Sequence, residues 1–67
     1  MHKPNYLNRD MEEAIEQYCH SARNRTILKL IYLDDLPYER IAEIYDLSPR
    51  TIDNIVRKFK DIAPIFR

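Results

Sequence analysis

Apolar residues recur along this chain at spacings of three and four, a pattern typical of helices that each bury one face. Four such stretches are separated by short polar or proline-containing connections, so the sequence predicts a small all-α domain of four helices. The predicted helices cover residues about 9–20, 22–33, 37–45 and 49–62. The last helix has the clearest apolar stripe, which should face inward and consists of Ile52, Ile55, Val56, Phe59 and Ile62.

Residues at the ends of these stretches indicate where the helices begin and end. Ser21 can cap the second helix, and Asp35 is expected to cap the third, with Pro37 in its first turn. Pro64 should end the fourth helix at or before Ala63. Nothing between the first two helices forbids helical structure, so a single continuous helix is also compatible with the sequence there.

Residues 38–57 have the pattern of a complete helix-turn-helix. Its apolar or small positions are Ile41, Ala42, Tyr45, Leu47, Ile52, Ile55 and Val56. Ala42 falls where two crossing helices come closest, and Asp46 suits the left-handed backbone of the turn. Ser48 followed by Pro49 is a favourable start for the second helix. Since this motif lays its second helix in the major groove, the segment predicts binding to double-stranded DNA.

The size and composition of the chain argue against several other functions. Its 67 residues make one domain, residues 1–67, too small for an active-site cleft with its supporting shell, and no glycine is present for a phosphate-binding loop. Cys19 and His20 would point about 100° apart on a helix, which is unfavourable for sharing one metal ion. We therefore expect no enzyme activity, no cofactor, no metal and no small-molecule substrate. No apolar run is long enough to cross a membrane and no secretion signal is evident, so a cytoplasmic location is expected.

The charges of the chain cancel overall but are distributed unevenly. The net charge is zero, which is unusual for a DNA-binding protein. Residues 11–22 sum to −3, residues 23–33 to +3, residues 34–47 to −4 and residues 48–67 to +3. The second helix of the predicted motif is therefore basic even though the whole protein is not.

With the apolar stripe turned inward, the other side chains of the fourth helix are available to DNA. We expect Arg50 to contact a guanine or a nearby phosphate and Asn54 to contact an adenine. Thr51 suits a phosphate or a thymine methyl group, and Asp53 can accept a hydrogen bond from a cytosine amine. The expected phosphate contacts are Ser48, Arg57, Lys58 and Lys60, with Arg23 and Arg25 of the second helix as a further clamp.

Several stretches between Arg23 and Lys58 carry a family pattern. They are Arg23-Asn24-Arg25, Ile27-Leu28-Lys29-Leu30, Leu36-Pro37-Tyr38-Glu39-Arg40-Ile41-Ala42-Glu43-Ile44 and Leu47-Ser48-Pro49-Arg50-Thr51-Ile52. This combination resembles region 4 of bacterial sigma factors and the related stand-alone regulators of phages and plasmids. The resemblance implies an all-helical domain that reads promoter DNA with the helix from Pro49 onward and that touches the flap of RNA polymerase.

Two features depart from the pattern of that family. Pro37 and Arg40 stand where Ser or Thr and then Glu usually form a capping box, and Asp46 stands where Gly is favoured. A region for the other promoter element is also missing. We therefore expect a stand-alone regulator and not a whole sigma factor.

The expected affinity of one such domain is low. Four to six phosphate contacts give binding of roughly micromolar order or weaker, whereas specific regulators reach about 10⁻⁸ M. Either a homodimer on two half-sites or tethering by RNA polymerase would supply the difference. The candidate self-association surfaces, which also suit the chain's own core, are the stripe Leu7, Met11, Ile15 and Tyr18 and the tail Ile65-Phe66.

Three functional hypotheses follow from the sequence. The leading one is a small transcriptional regulator of phage or mobile-element type that binds specific double-stranded DNA. The second is a protein-interaction module that docks on RNA polymerase or a sigma factor without reading DNA, which the zero net charge and the acidic residues between 34 and 46 favour. The third is a phage DNA-packaging or recombination accessory protein, which would use the same groove contacts.

Overall fold

A computed structural model describes the backbone of residues 8–66 and the side chains of residues 8–65. It contains four α-helices, which are α1 (Asn8–Tyr18), α2 (Ala22–Tyr32), α3 (Tyr38–Tyr45) and α4 (Pro49–Ile62), followed by one 3₁₀ turn (Pro64–Phe66). The described part of the chain includes no strand, so the predicted all-α fold of four helices is confirmed. Among the helices described, none has the length and apolar character that a membrane span requires.

The connection between α1 and α2 is a true break. α1 ends at Tyr18, about two residues before the predicted end, and residues 19–21 lie outside any helix. The hydroxyl of Ser21 accepts a hydrogen bond from the amide of Asn24 at 3.3 Å, which confirms the predicted cap of α2. The alternative of one continuous helix is therefore wrong.

The start of α3 differs from the prediction. Asp35 does not cap this helix, because the N-cap position is occupied by Pro37, which makes no side-chain hydrogen bond there. Asp35 instead has a left-handed backbone with φ 58°, a conformation that Asp tolerates better than most residues. The amide of Leu36 donates to the carbonyl of Leu30 at 3.0 Å, so the connection first folds back onto the end of α2. Because residues 35 and 36 follow this turn, α3 begins only after Pro37.

Two clusters of buried side chains hold the helices together. The support cluster joins α1, α2, α4 and the residue after α4, and consists of Met11, Ala14, Ile15, Leu28, Val56, Phe59 and Ala63. The turn cluster joins α2, α3 and α4, and consists of Ile27, Ile41, Ala42 and Ile52. α2 contributes Ile27 and Leu28 to different clusters, and α4 also has members in both, so these two helices connect the rest of the domain.

The predicted inward position of Ile62 is wrong, since this residue is 50% exposed. The chain leaves the helix directly after it, with Ala63 in an extended conformation (φ −83°, ψ 121°). The side chain of Ala63 is fully buried and takes the inward place that the stripe assigned to Ile62. The end of α4 before Pro64 agrees with the prediction.

The first candidate surface for self-association is used by the chain's own core, which was the other role that the sequence allowed. Met11 and Ile15 are completely buried in the support cluster, and the partly buried Tyr18 and Ile65 pack against it. These residues complete the core of their own chain and do not form a free stripe. Leu7 and the side chain of Phe66 lie outside the described residues.

Candidate nucleic-acid interface

The turn between α3 and α4 fixes the direction of α4. Asp46 closes α3 with a left-handed backbone (φ 56°, ψ 45°), as the sequence predicted, and its amide donates to the carbonyls of Ala42 and Glu43. The amide of Leu47 donates to the carbonyl of Ala42 at 2.9 Å. Ala42 is itself only 4% exposed and belongs to the same buried cluster as Ile52 of α4. These backbone bonds and this shared cluster connect the end of α3 to α4.

The start of α4 is held by a compact hydrogen-bonded cap. The Oγ atom of Ser48 accepts from the amide of Thr51 at 3.2 Å, which confirms the predicted cap, and it lies 3.0 Å from Oγ1 of the same threonine. Pro49 occupies the first helical turn, where a missing amide proton costs nothing. The hydroxyl groups of Ser48 and Thr51 are thus kept together at the end of α4 that enters a groove in this motif.

The exposed side of α4 carries a line of side chains that we call the reading crest. It consists of Arg50, Asn54 and Arg57, each of which is exposed. These residues are separated by four and three positions, so they lie on one face about half a turn from the buried Ile52, Val56 and Phe59. Two predicted base contacts, Arg50 and Asn54, are therefore neighbours on one line, with the predicted phosphate contact Arg57 next to them.

One flank of α4 faces the connection between α1 and α2 across an open cleft. Thr51, Lys58 and Ile62 line this cleft of about 390 Å³ from the α4 side, with Asn54 at its edge. The opposite wall includes Ser21 and Asn24 at the start of α2. The beginning of α2 therefore lies beside the reading crest, a neighbour that the sequence alone did not give.

The other flank of α4 faces α3. Asp53 lies on this side, and its carboxylate Oδ2 is 3.0 Å from Nε of Arg57 one turn later. The pKa of Tyr38, at the start of α3, is raised first by burial and then by the negative charge of Asp53. This coupling brings together α3 and α4 residues that are 15 positions apart, so no local sequence signal could have indicated it.

The basic residues of α2 are divided between two surroundings. Arg23 is exposed at the start of the helix, and its Nε donates to Oδ1 of the adjacent Asn24 at 3.2 Å. Arg25 points back to the end of α1, where Nη1 donates to the carbonyl of Cys19 at 2.9 Å and Nε lies 3.8 Å from Glu16. Arg23 is thus bonded to a residue that lines the cleft, whereas Arg25 links α1 to α2.

Glu16 is the centre of that link. Its Oε2 accepts a hydrogen bond of 2.6 Å from Nζ of Lys29. This bond, together with the charge of Lys29 and more weakly that of Arg25, lowers the pKa of Glu16 below its usual value of 4.5. The opposite charges of segments 11–22 and 23–33 were the only sequence signal for such a link.

The remaining predicted contacts lie on the surface. Ser48, Lys58 and Lys60 are exposed, while Thr51 and Asp53 are half-buried. Seven of the ten predicted DNA-contacting side chains are thus exposed, and all except Arg25 lie on α4, on its cap or at the start of α2.

Within the part of the chain that the structure describes, no group of three or more potential metal ligands is assembled.

Comparison with known proteins gives one match. The family model described as Sigma-70, region 4, matches residues 21–61, which span α2, α3 and nearly all of α4. The matched segment covers the turn cluster and the reading crest and excludes α1. Neither a curated protein nor a solved structure matches the chain.

Proposed function

The chain belongs to the sigma-70 region 4 family of helix-turn-helix domains, and from this membership we propose that it is a sequence-specific DNA-binding regulator of transcription. It inserts α4 in the major groove of double-stranded DNA. The observation that carries the proposal is the reading crest, since it presents Arg50 and Asn54 on the exposed side of a helix that is anchored by its cap and its core.

Every predicted contact except Asp53, whose predicted bond to cytosine is not retained, has a role in this proposal. Arg50 contacts guanine through its paired donors, and Asn54 makes two hydrogen bonds to adenine. Thr51 presents its methyl group to a thymine, because its hydroxyl is within hydrogen-bond distance of Ser48. The phosphate contacts that flank these bases come from Ser48, Arg57, Lys58, Lys60 and Arg23. Arg25 joins them only if it leaves its bond to the carbonyl of Cys19.

The number of cations near the crest bounds the affinity. If about four of them each neutralise a phosphate, the logarithm of the binding constant falls with the logarithm of the salt concentration with a slope of about −4. One domain then binds specific DNA with roughly micromolar affinity, well below the 10⁻⁸ M or so of dedicated regulators. We propose that RNA polymerase, a partner that the family membership supports, supplies the missing affinity by tethering the domain near its site.

The test of DNA binding is selection from random duplexes, followed by mobility shifts at two salt concentrations. Arg50→Ala should weaken binding to the selected duplex by about 5- to 150-fold, which corresponds to roughly 1–3 kcal/mol for a bidentate base contact. Asn54→Ala should have an effect in the same range and should relax the preference at one base pair.

Two exposed residues of α1 provide matched controls for these variants. Arg9→Ala removes the same kind of charge, and Gln17→Ala removes the same kind of amide, on a helix outside the proposed interface. Both controls should bind within about twofold of the wild type, since each removes no proposed base contact. If Arg50→Ala and Asn54→Ala bound as tightly as these controls, the assignment of the crest to the groove would be wrong.

A second candidate function is a protein-interaction module that docks on RNA polymerase or a sigma factor. The surface of α3 supports it, because Ile44 is 58% exposed there and the same helix carries the exposed acidic residues Glu39 and Glu43. Such a module would capture polymerase subunits in a pull-down that survives high salt, through Ile44, and would shift no duplex at low salt. The regulator proposed above predicts the opposite result in the mobility shift.

A further inference from the structure

The crest residue Arg57 is held by a partner on its own helix. Its Nε lies 3.0 Å from Oδ2 of Asp53, while the side chain as a whole remains 76% exposed. An arginine bonded through Nε still has its terminal nitrogens available as donors. The ion pair therefore restricts the direction of the guanidinium without using up its capacity to bind an anion.

The direction of that restriction follows from the helix geometry. Asp53 is four residues before Arg57, so it is displaced from Arg57 by about 40° around the helix axis and lies farther still from the other two crest residues. The displacement is toward the flank opposite the cleft, because Asp53 lies about half a turn around α4 from Thr51 and Ile62, which line the cleft. On that flank the charge of Asp53 reaches Tyr38 at the start of α3 and helps to raise its pKa. The guanidinium of Arg57 is thus drawn off the crest toward the α3 side of α4.

The two sides of α4 would meet different parts of a duplex. In a helix-turn-helix the second helix contacts base edges, while the first helix crosses the sugar-phosphate backbone. An arginine drawn toward α3 is therefore directed to a phosphate, and one that stays on the crest is directed to the bases. Planar arginine recognises phosphate oxygens well through two parallel hydrogen bonds.

We propose, building on the DNA binding proposed above, that Asp53 is a positioning residue that directs Arg57 to a phosphate on the α3 side of the groove. In this role Asp53 makes no base contact of its own. Its negative charge also opposes phosphates in any other register, where the guanidinium no longer shields it. Asp53 therefore lowers non-specific binding more than specific binding, which raises the specificity ratio.

The experiment compares the wild type with Asp53→Asn, Arg57→Gln and the double variant on the selected duplex. Single methylphosphonate groups replace each backbone phosphate in turn. In the wild type we expect one position on the α3 side whose neutralisation weakens binding several-fold, and Arg57→Gln should abolish that dependence. Asp53→Asn should reduce the dependence by at least half, because Arg57 is then free to leave that phosphate.

Two further readouts separate positioning from a simple change of net charge. Asp53→Asn should tighten binding to a random duplex by about 3- to 10-fold at low salt and steepen its salt dependence by about one unit. Glu12→Gln makes the same charge change on α1, where Glu12 is exposed, and should leave the phosphate scan unaltered. The effects of Asp53→Asn and Arg57→Gln should be non-additive in the double variant, as expected for coupled residues.

The outcomes distinguish this inference from the proposal on which it rests. A wild-type protein that shifts no duplex would overturn the proposed DNA binding itself. A wild type that binds, with a phosphate scan identical in Asp53→Asn, would overturn only the positioning role. Additive effects of the two single variants would do the same, whereas a base preference that changes in Asp53→Asn and is lost again in the double variant would support it.

Discussion

The support cluster and the turn cluster share two helices but have different consequences for function. The support cluster is the larger and connects α1 and the end of α4 to α2. The turn cluster has four buried members, and one of them is the small residue Ala42 of α3, which is 4% exposed. The first mainly determines whether the chain is folded, and the second also determines where the reading crest points.

This difference predicts that stability and DNA binding can be separated by mutation. A defect in the support cluster should lower the folded fraction while leaving the geometry of the interface intact. A mutation in the turn cluster that costs the same stability should lower the folded fraction and also change the geometry of the interface. Matched residues exist in the two clusters for each kind of change.

The largest expected effect comes from deleting a core isoleucine. Ile52→Ala in the turn cluster and Ile15→Ala in the support cluster both remove a side chain with no exposed surface, and each should lower the free energy of unfolding by about 2–5 kcal/mol. Urea unfolding measures this loss. Such a loss can unfold a domain of this size, so the comparison of binding uses the milder pair Ile52→Val and Ile15→Val, which should cost about 0.5–1.5 kcal/mol each.

Only Ile52→Val should weaken DNA binding beyond what its folded fraction explains. The reason is that Ile52 lies on the buried side of the helix that carries the crest. Equal DNA affinity of the two folded valine variants would contradict the separation of the clusters.

Overpacking a buried alanine sharpens the same comparison. Ala42→Leu and Ala14→Leu each add a large side chain at a position that is at most 7% exposed, at an expected cost of roughly 1–3 kcal/mol in the free energy of unfolding. Ala42→Leu should also push α3 away from α4 and reduce DNA affinity in a mobility shift. Ala14→Leu should be comparably unstable and bind normally at a temperature where it is folded.

The two serine caps offer a smaller, paired perturbation. Ser48→Ala and Ser21→Ala each remove an oxygen that accepts from a helix amide, so each should cost about 1 kcal/mol in thermal unfolding. Ser48→Ala should in addition weaken DNA binding, because it loosens Thr51 and removes a proposed phosphate contact. If Ser21→Ala weakened binding just as much, the start of α2 would belong to the interface more closely than proposed.

The loss of thermal stability at low pH should depend on Glu16, which links α1 to α2. Its folded-state pKa is lowered below 4.5, chiefly by its hydrogen bond to Lys29, so the folded state favours the ionised form. The stabilisation is therefore present above the unfolded-state pKa and is lost as the pH falls through the folded-state value. Glu16→Gln should flatten this acid dependence of the melting temperature, and high salt should weaken the effect in the wild type.

The loss of stability at high pH should depend on Tyr38, at the start of α3. Burial, aided by Asp53, raises its pKa above 10.0, so the folded state retains the phenol proton longer than the unfolded chain does. Its contribution to stability is intact below pH 10 and is lost as the pH rises through the folded-state pKa. Tyr38→Phe should remove this loss, and absorbance titration of tyrosinate should show one fewer late-titrating group. An unchanged loss of stability at high pH would contradict the assignment.

The parts of the fold that followed from the sequence are those with local causes. The cap at Ser48, the left-handed Asp46 and the end of α4 before Pro64 each depend on a residue and its immediate neighbours. Two of the errors have non-local causes. Asp35 lost its capping role to the fold-back of Leu36 onto α2, and Ile62 lost its inward place to Ala63, which the support cluster buries.

The candidate site shows the same limit. The crest could be predicted from the helical period alone, because it is the complement of the buried stripe. The link from Glu16 to Lys29 and the influence of Asp53 on Tyr38 join residues on different helices, so their existence depends on how those helices pack. Periodicity determines which side chains are exposed, but it does not determine which neighbours restrain them.

The corner between α3 and α4 contains only residues 46–48, and two backbone amides bind it to the last turn of α3. So short a connection keeps α4 in a fixed orientation relative to α3. The two helices should therefore bind DNA as one rigid unit and lose little conformational entropy on binding. Target choice then resides in a few replaceable side chains. Exchanging Arg50 and Asn54 for a different pair should redirect the protein to another sequence without rebuilding the scaffold that carries them.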